Sequence, residues 1–117
     1  MSANITRLDQ NERRSRAVIY NGTVYLAGQV ADDTSLDITG QARQVFAKID
    51  DLLQQAGTDK SRVLMATLWI ADMNELAAMN AVWDEWVVPG QRPARCCSEA
   101  KLTAPGFKLE IMITAAL

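Results

Sequence analysis

Three observations predict an α+β domain in which a mixed sheet carries two helices on one face. They are an Asn-Gly hairpin signal near the start, two stretches of helical hydrophobic spacing, and β-branched or alternating runs between and after them. Val18-Ile19-Tyr20, then Asn21-Gly22, then Thr23 to Ala27 predict an antiparallel hairpin, because Asn-Gly accepts the positive φ angles of a type I′ turn. Ile38, Ala42, Val45, Phe46, Ile49, Leu52, Leu53 and Ala56 recur at helical spacing, with Asp37 or Thr39 as N-cap and Gly57 as stop. Val63 to Ile70 is apolar with few charges, the pattern of a buried central strand. Asp72 with Glu75 three residues on is a capping-box-like start to a second helix. That helix carries Leu76, Ala78, Met79, Trp83 and Val87 and ends by Pro89-Gly90.

Two further strands follow, in Arg92 to Glu99 and, at hairpin distance, in Phe107 to Ile111, giving the order ββαβαββ. Two helices cover one face of such a sheet, yet alternation gives the other face Tyr25, Ala27, Met65, Trp69 and Met112. So apolar a face seldom stays in water. A homo-oligomer that packs this face against its neighbours resolves the conflict.

At 117 residues the whole chain, 1–117, reads as a single domain with an apolar content (49%) sufficient for a core. No run of about 18 apolar residues is present to span a membrane. Met1-Ser2-Ala3-Asn4-Ile5-Thr6 lacks the apolar stretch of a secretory signal, so a cytoplasmic location is expected. A net charge of −2 argues against a nucleic-acid partner, since a phosphate-binding surface needs a clustered positive field. The local exception, Arg13-Arg14-Ser15-Arg16, is either an anion site or a solvated chain start. The absence of histidine removes the Ser-His and Cys-His nucleophile arrangements and the commonest metal ligand, and no CxxC pairs replace it, so no metal is expected. Adjacent Cys96 and Cys97 are read as free thiols, because a vicinal disulfide is strained.

The segment Arg92-Pro93-Ala94-Arg95-Cys96-Cys97-Ser98-Glu99 carries the chemistry. In an extended strand Arg95, Cys97 and Glu99 point one way and Ala94, Cys96 and Ser98 the other, with Cys96 toward the helices. Phe107, Leu109, Ile111 and Ile113 make an apolar face, which puts Lys108, Glu110, Met112 and Thr114 opposite. Arg95 and Glu110 are therefore expected to share one surface. There they act either as a carboxylate-gripping fork beside a water-activating base, or as a structural ion pair.

Ala27-Gly28-Gln29, Pro93-Ala94-Arg95-Cys96-Cys97 and Lys108-Leu109-Glu110-Ile111 together resemble the reactive intermediate deaminase (Rid, or YjgF) family, also catalogued as L-PSP endoribonucleases. Ala78-Met79-Asn80, Trp83-Asp84, Trp86-Val87-Val88 and Gly90 look most like its YoaB branch. The resemblance implies a chorismate-mutase-like fold and a homotrimer whose three sheets line a central barrel, with ligand clefts between subunits. It implies no cofactor and a small carboxylate ligand, a 2-imino or 2-oxo acid. By that resemblance Arg95 holds the carboxylate of a 2-imino or 2-enamino acid, Glu110 places the hydrolytic water, and Cys97 lines the same cleft. Glu110 and Cys97 are thus the candidate catalytic residues, and Arg95, Arg14, Ala27 and Gly28 the candidate binding residues.

Deaminating members carry a serine where this chain has Ala27, and a Gly-Pro-Tyr near the start where it has roughly Arg13-Arg14. With Arg14 in the cleft, two guanidinium groups select a dianionic or larger acid; the alternative is a surface role for Arg14. The functional expectation is an imine or enamine hydrolase that releases ammonia and a 2-oxo acid. A carboxylate-binding or regulatory module is the second reading and a ribonuclease the third.

Overall fold

The computed structural model describes residues 4–117, so the reading of Met1 to Ala3 as lacking a leader lies outside it. One sheet holds seven strands, β1 (Thr6–Leu8), β2 (Ala17–Tyr20), β3 (Thr23–Leu26), β4 (Gln29–Val30), β5 (Val63–Ile70), β6 (Ala94–Glu99) and β7 (Leu109–Ala116). Its order is β1-β2-β3-β7-β5-β6, with β4 paired to β7. Among the described residues only β5 and β6 run parallel. The predicted hairpin forms as β2 and β3, turning through Asn21 (φ 52°) and Gly22 (φ 76°), the left-handed pair that a type I′ turn requires.

Helix α1 (Ile38–Ala56) starts where Asp37 accepts a hydrogen bond from the Gly40 N–H at 2.9 Å. It stops at Gly57 (φ 94°), whose N–H closes onto carbonyls of the last turn. Its stripe from Ile38 to Ala56 lies on the sheet with Val24, Leu26, Ala66, Leu68, Ile111 and Ile113. Helix α2 (Leu76–Trp86) is entered through a short 3₁₀ turn, Met73–Glu75. Asp72 caps that turn by accepting from the Asn74 N–H at 2.9 Å, and Glu99 of β6 accepts from the Met73 N–H at 2.9 Å. Glu75 makes no capping bond to α2, so the predicted box is half formed. Buried Gln41 on α1 ties two loops to the helix layer. Its amide donates to the carbonyls of Leu36 (3.1 Å) and Gly106 (3.0 Å) and its Oε1 accepts from the Lys108 N–H (3.0 Å).

The structure corrects three expectations. Strands β1 and β4 extend the predicted order; at three and two residues they are too short to show a periodicity. The last two strands are not a hairpin, because β5 lies between them, pairing parallel with β6 and antiparallel with β7. The third correction concerns faces. Arg95 is in register with Ala66 and Cys97 with Leu68, both fully buried, so Arg95, Cys97 and Glu99 look toward the helix layer and exposed Cys96 looks away. Glu110 is in register with Trp69, on the opposite, open face. Arg95 and Glu110 therefore do not share a surface within one chain. The reason is that β6 is an edge strand of small and polar residues, so no apolar alternation sets its phase.

The open face is as apolar as expected. Tyr25 and Met112 are 49% and 41% exposed, with Met65 and Trp69 half-buried beside them.

Candidate functional site

The candidate residues fall into two groups on opposite faces of the sheet. On the open side, Glu110 pairs with Val30 of β4 and lies against Gly28 so closely that a Cβ at position 28 would overlap its Oε2. Glycine at 28 is thus what lets the carboxylate sit there. The bend that presents Gly28 is held from both sides. Gln29, 4% exposed, donates to the Ala27 carbonyl at 2.8 Å and accepts from Arg16 Nη2 at 2.9 Å, while the Ala27 N–H donates to the Arg16 carbonyl at 2.9 Å. Ala27 supplies no side-chain hydrogen bond at this bend.

Gly28 also borders a cleft of about 570 Å³ lined by Arg14, Arg16, Gln29, Asp32 and Lys48 among others. Arg14 reaches its rim from a turn in which Asn11 Oδ1 accepts from the N–H groups of Arg13 (2.8 Å) and Arg14 (2.9 Å). Of the basic run, Arg13 and Arg14 are exposed, whereas Arg16 turns inward to Gln29 and to Asp9 at 3.5 Å. Lys48 donates to Asp32 and to the Val30 carbonyl, both at 2.9 Å, and its ammonium holds the Asp32 carboxyl below the usual carboxylate range.

On the helix side, the Arg95 guanidinium carbon stands 5.0 Å from the ring centroid of Trp83 on α2. Among the described residues its N–H donors bond to no carboxylate, so neither the shared surface nor the ion pair with Glu110 forms within the chain. Cys97, two residues on, packs against the core. Burial pushes its thiol above the ordinary value and outweighs the lowering influence of Arg95. A thiol held neutral at physiological pH is a poor nucleophile, so this position suits lining a site rather than attacking a substrate. Sequence reasoning gave no chemical role to Trp83 or Asn80. Asn80 precedes Trp83 by one helical turn, and its Oδ1 is buried with no hydrogen-bond partner among the described residues. Only a buried, unpaired carbonyl marks it, and sequence does not display that. No cluster of three or more Cys, Asp or Glu among the described residues is placed to hold a metal ion.

One face of the sheet thus carries a carboxylate set against a glycine bend, and the other an arginine with no carboxylate partner among the described residues. The sequence model of the endoribonuclease L-PSP family matches residues 4–117. The chain belongs to that family, the Rid/YjgF group to which its motifs point. A RutC family protein of Haemophilus ducreyi is 50% identical over 113 residues, 97% of each chain. The RutC family protein YoaB of Escherichia coli K12 is 43% identical over 113 residues, 97% of this chain and 98% of its own. The crystal structure of a YjgF-family member from Neisseria meningitidis has a TM-score of 0.94 at 41% identity, covering 97% of this chain and 94% of that one. At greater distance, a goat protein named 2-iminobutanoate/2-iminopropanoate deaminase is 29% identical over 103 residues, 83% of this chain and 74% of its own.

Proposed function

We propose that this Rid/YjgF-family protein hydrolyses small 2-imino and 2-enamino acids to ammonia and a 2-oxo acid, in clefts formed between subunits of a homotrimer. The observation that carries the reading is the uncommitted Arg95 guanidinium, a planar fork matched to a carboxylate. Glu110 on the open face is its catalytic counterpart. Opposite faces of one sheet cannot close on one small molecule, so each cleft takes Arg95 from one chain and Glu110 from another. The apolar open face and the unpaired outer edge of β6 both support assembly. Free Cys96 and Cys97 fit a reducing, cytoplasmic setting.

Chemically, the protonated imine carbon needs only orientation and a water. Glu110 accepts a proton as the water oxygen bonds to C2 and the C=N π electrons move to nitrogen. Returning that proton to nitrogen makes ammonia the leaving group, and as it departs Glu110 takes the hydroxyl proton and the C2–O bond becomes a carbonyl. Binding through the carboxylate holds C2 at a fixed distance from Glu110. Cys97 and Gly28 line the cleft and Arg14 stands at its mouth, where it favours substrates with a second acidic group.

The test generates 2-aminoacrylate in situ with a dehydratase and follows pyruvate and ammonia release. Acceleration by this protein supports the enzyme; no acceleration, together with measurable 2-oxobutyrate binding, favours a ligand-binding module. That second reading draws on Ala27, which brings no hydroxyl to the bend. Ribonuclease chemistry has less support, with no histidine in the chain and a net charge of −2.

A further inference from the structure

The geometry points to Trp83 as a positioning residue that holds the Arg95 fork ready for its carboxylate through a cation–π contact. The inference rests on Arg95 being that fork, and it adds how the fork is oriented. Arginine is a long side chain rich in rotamers, and a flexible fork loses that freedom on every binding event. A hydrogen-bonded partner would hold it still but would use the donors the substrate needs. A ring beneath the charge fixes its position and leaves the donors free. Arg95 has this arrangement, 5.0 Å over Trp83 and with no carboxylate partner among the described residues.

The ring is itself immobilised. Trp83 is 6% exposed and packs at 6.0 Å from Phe46 of α1 and 5.7 Å from Trp86, centroid to centroid. Phe46 and Trp86 stack at 4.7 Å, and the Trp86 indole N–H donates to Asp50 Oδ1 at 2.9 Å. A chain of contacts thus runs from Asp50 on α1 through three aromatic rings to the guanidinium on an edge strand, where the sheet alone would leave a long side chain loose. Core filling would be served as well by leucine or methionine; stacking beneath a cation requires a π face.

The experiment titrates 2-oxobutyrate calorimetrically into wild type, Trp83→Leu, Trp83→Phe and Arg95→Ala, each with a thermal melt. Trp83→Leu should weaken binding about 3- to 30-fold, the range of a partly desolvated cation–π contact, and Trp83→Phe should lie between it and wild type. Because Trp83→Leu can fail to fold, a second series replaces tryptophan biosynthetically by its mono- and difluoro analogues, which drain charge from the ring face with little change of shape. Affinity should fall with each fluorine at an almost constant melting temperature, and the trend should vanish in the Trp83→Phe background. Trp83→Leu or fluorinated protein binding as tightly as wild type, while Arg95→Ala does not bind, would overturn the positioning role and leave the fork intact. Arg95→Ala binding like wild type, or wild type failing to bind 2-oxobutyrate, would refute the fork itself and this inference with it.

Discussion

Mixing two inactive variants tests the site most severely. Arg95→Ala removes the fork and Glu110→Gln removes the base, and each homo-oligomer should lose imine hydrolysis. Because Arg95 is aligned with Ala66 on the helix face and Glu110 with Trp69 on the open face, the proposed cleft takes Arg95 and Glu110 from different chains. In the proposed trimer, randomly assembled from equal amounts of the two variants, a cleft receives its arginine from a Glu110→Gln chain half the time. It receives its glutamate from an Arg95→Ala chain half the time. About a quarter of the clefts are then intact, so co-refolded or co-expressed variants should recover about a quarter of wild-type activity. Were both residues supplied by one chain, every cleft would carry one lesion and mixing would recover nothing. The assay follows pyruvate release from 2-aminoacrylate, with differently tagged variants so that mixed oligomers are isolated first. Isolated mixed trimers with no activity above that of the single variants would refute the two-chain cleft.

Gly28→Ala should displace the Glu110 carboxylate and cut turnover well over tenfold at little cost to the fold, because the added Cβ meets the movable end of the Glu110 side chain, read by kinetics and denaturant titration side by side. Gln41→Leu should cost about 2–4 kcal/mol, since it leaves the Lys108 N–H and carbonyls of two loops without their partner, and chemical denaturation measures it. Cys97 holds its proton more tightly folded than unfolded. Stability is therefore full below the ordinary thiol value of about 8.5 and declines as pH rises through the raised folded value, and Cys97→Ala should flatten that alkaline decline in melts across pH 7–11. The same Cys97→Ala protein should keep measurable turnover, because the proposed chemistry has water and not the thiol attack; complete loss in a well-folded variant would argue for covalent catalysis.

Local chemistry made most of the fold legible. Asn21-Gly22, Asp37 and Gly57 each form the turn or cap that their residue types favour, and the stripe from Ile38 to Ala56 is the buried stripe of α1. What escaped depends on tertiary pairing. Thr6–Leu8 and Gln29–Val30 are strands because β2 and β7 lie beside them, not because their residues alternate. Cys96-Cys97 offered two hydrophobes on opposite faces, so nothing local said which one faced the helices; the parallel register with β5 decided it. The candidate site was legible residue by residue and not as a constellation. Arg95 and Glu110 stood out by residue type and alternation, their separation by the sheet did not, and the contact of Arg95 with Trp83 joins an edge strand to a helix that no periodicity links.

That separation also makes sense of a conflict on the open face. Tyr25, Met65, Trp69 and Met112 form a surface that gains by being buried, yet Glu110 stands among them in register with Trp69. A carboxylate carried into an interface loses hydration, and without a partner this costs several kcal/mol, so a face serving assembly alone would be better built with an apolar residue at that position. No arginine or lysine on its own chain pairs with Glu110 among the described residues. The compensation has to come from outside the chain, as a water, a substrate or a neighbouring subunit's Arg95 side of the cleft. Residues that break the local rule of their surroundings are where function is most often paid for in stability. Here the rule-breaker is the same residue that the family motif and the glycine bend at Gly28 single out. Glu110→Leu should accordingly assemble at least as firmly as the wild type while losing hydrolysis, and a dissociation midpoint shifted to higher protein concentration would show that Glu110 instead serves the interface.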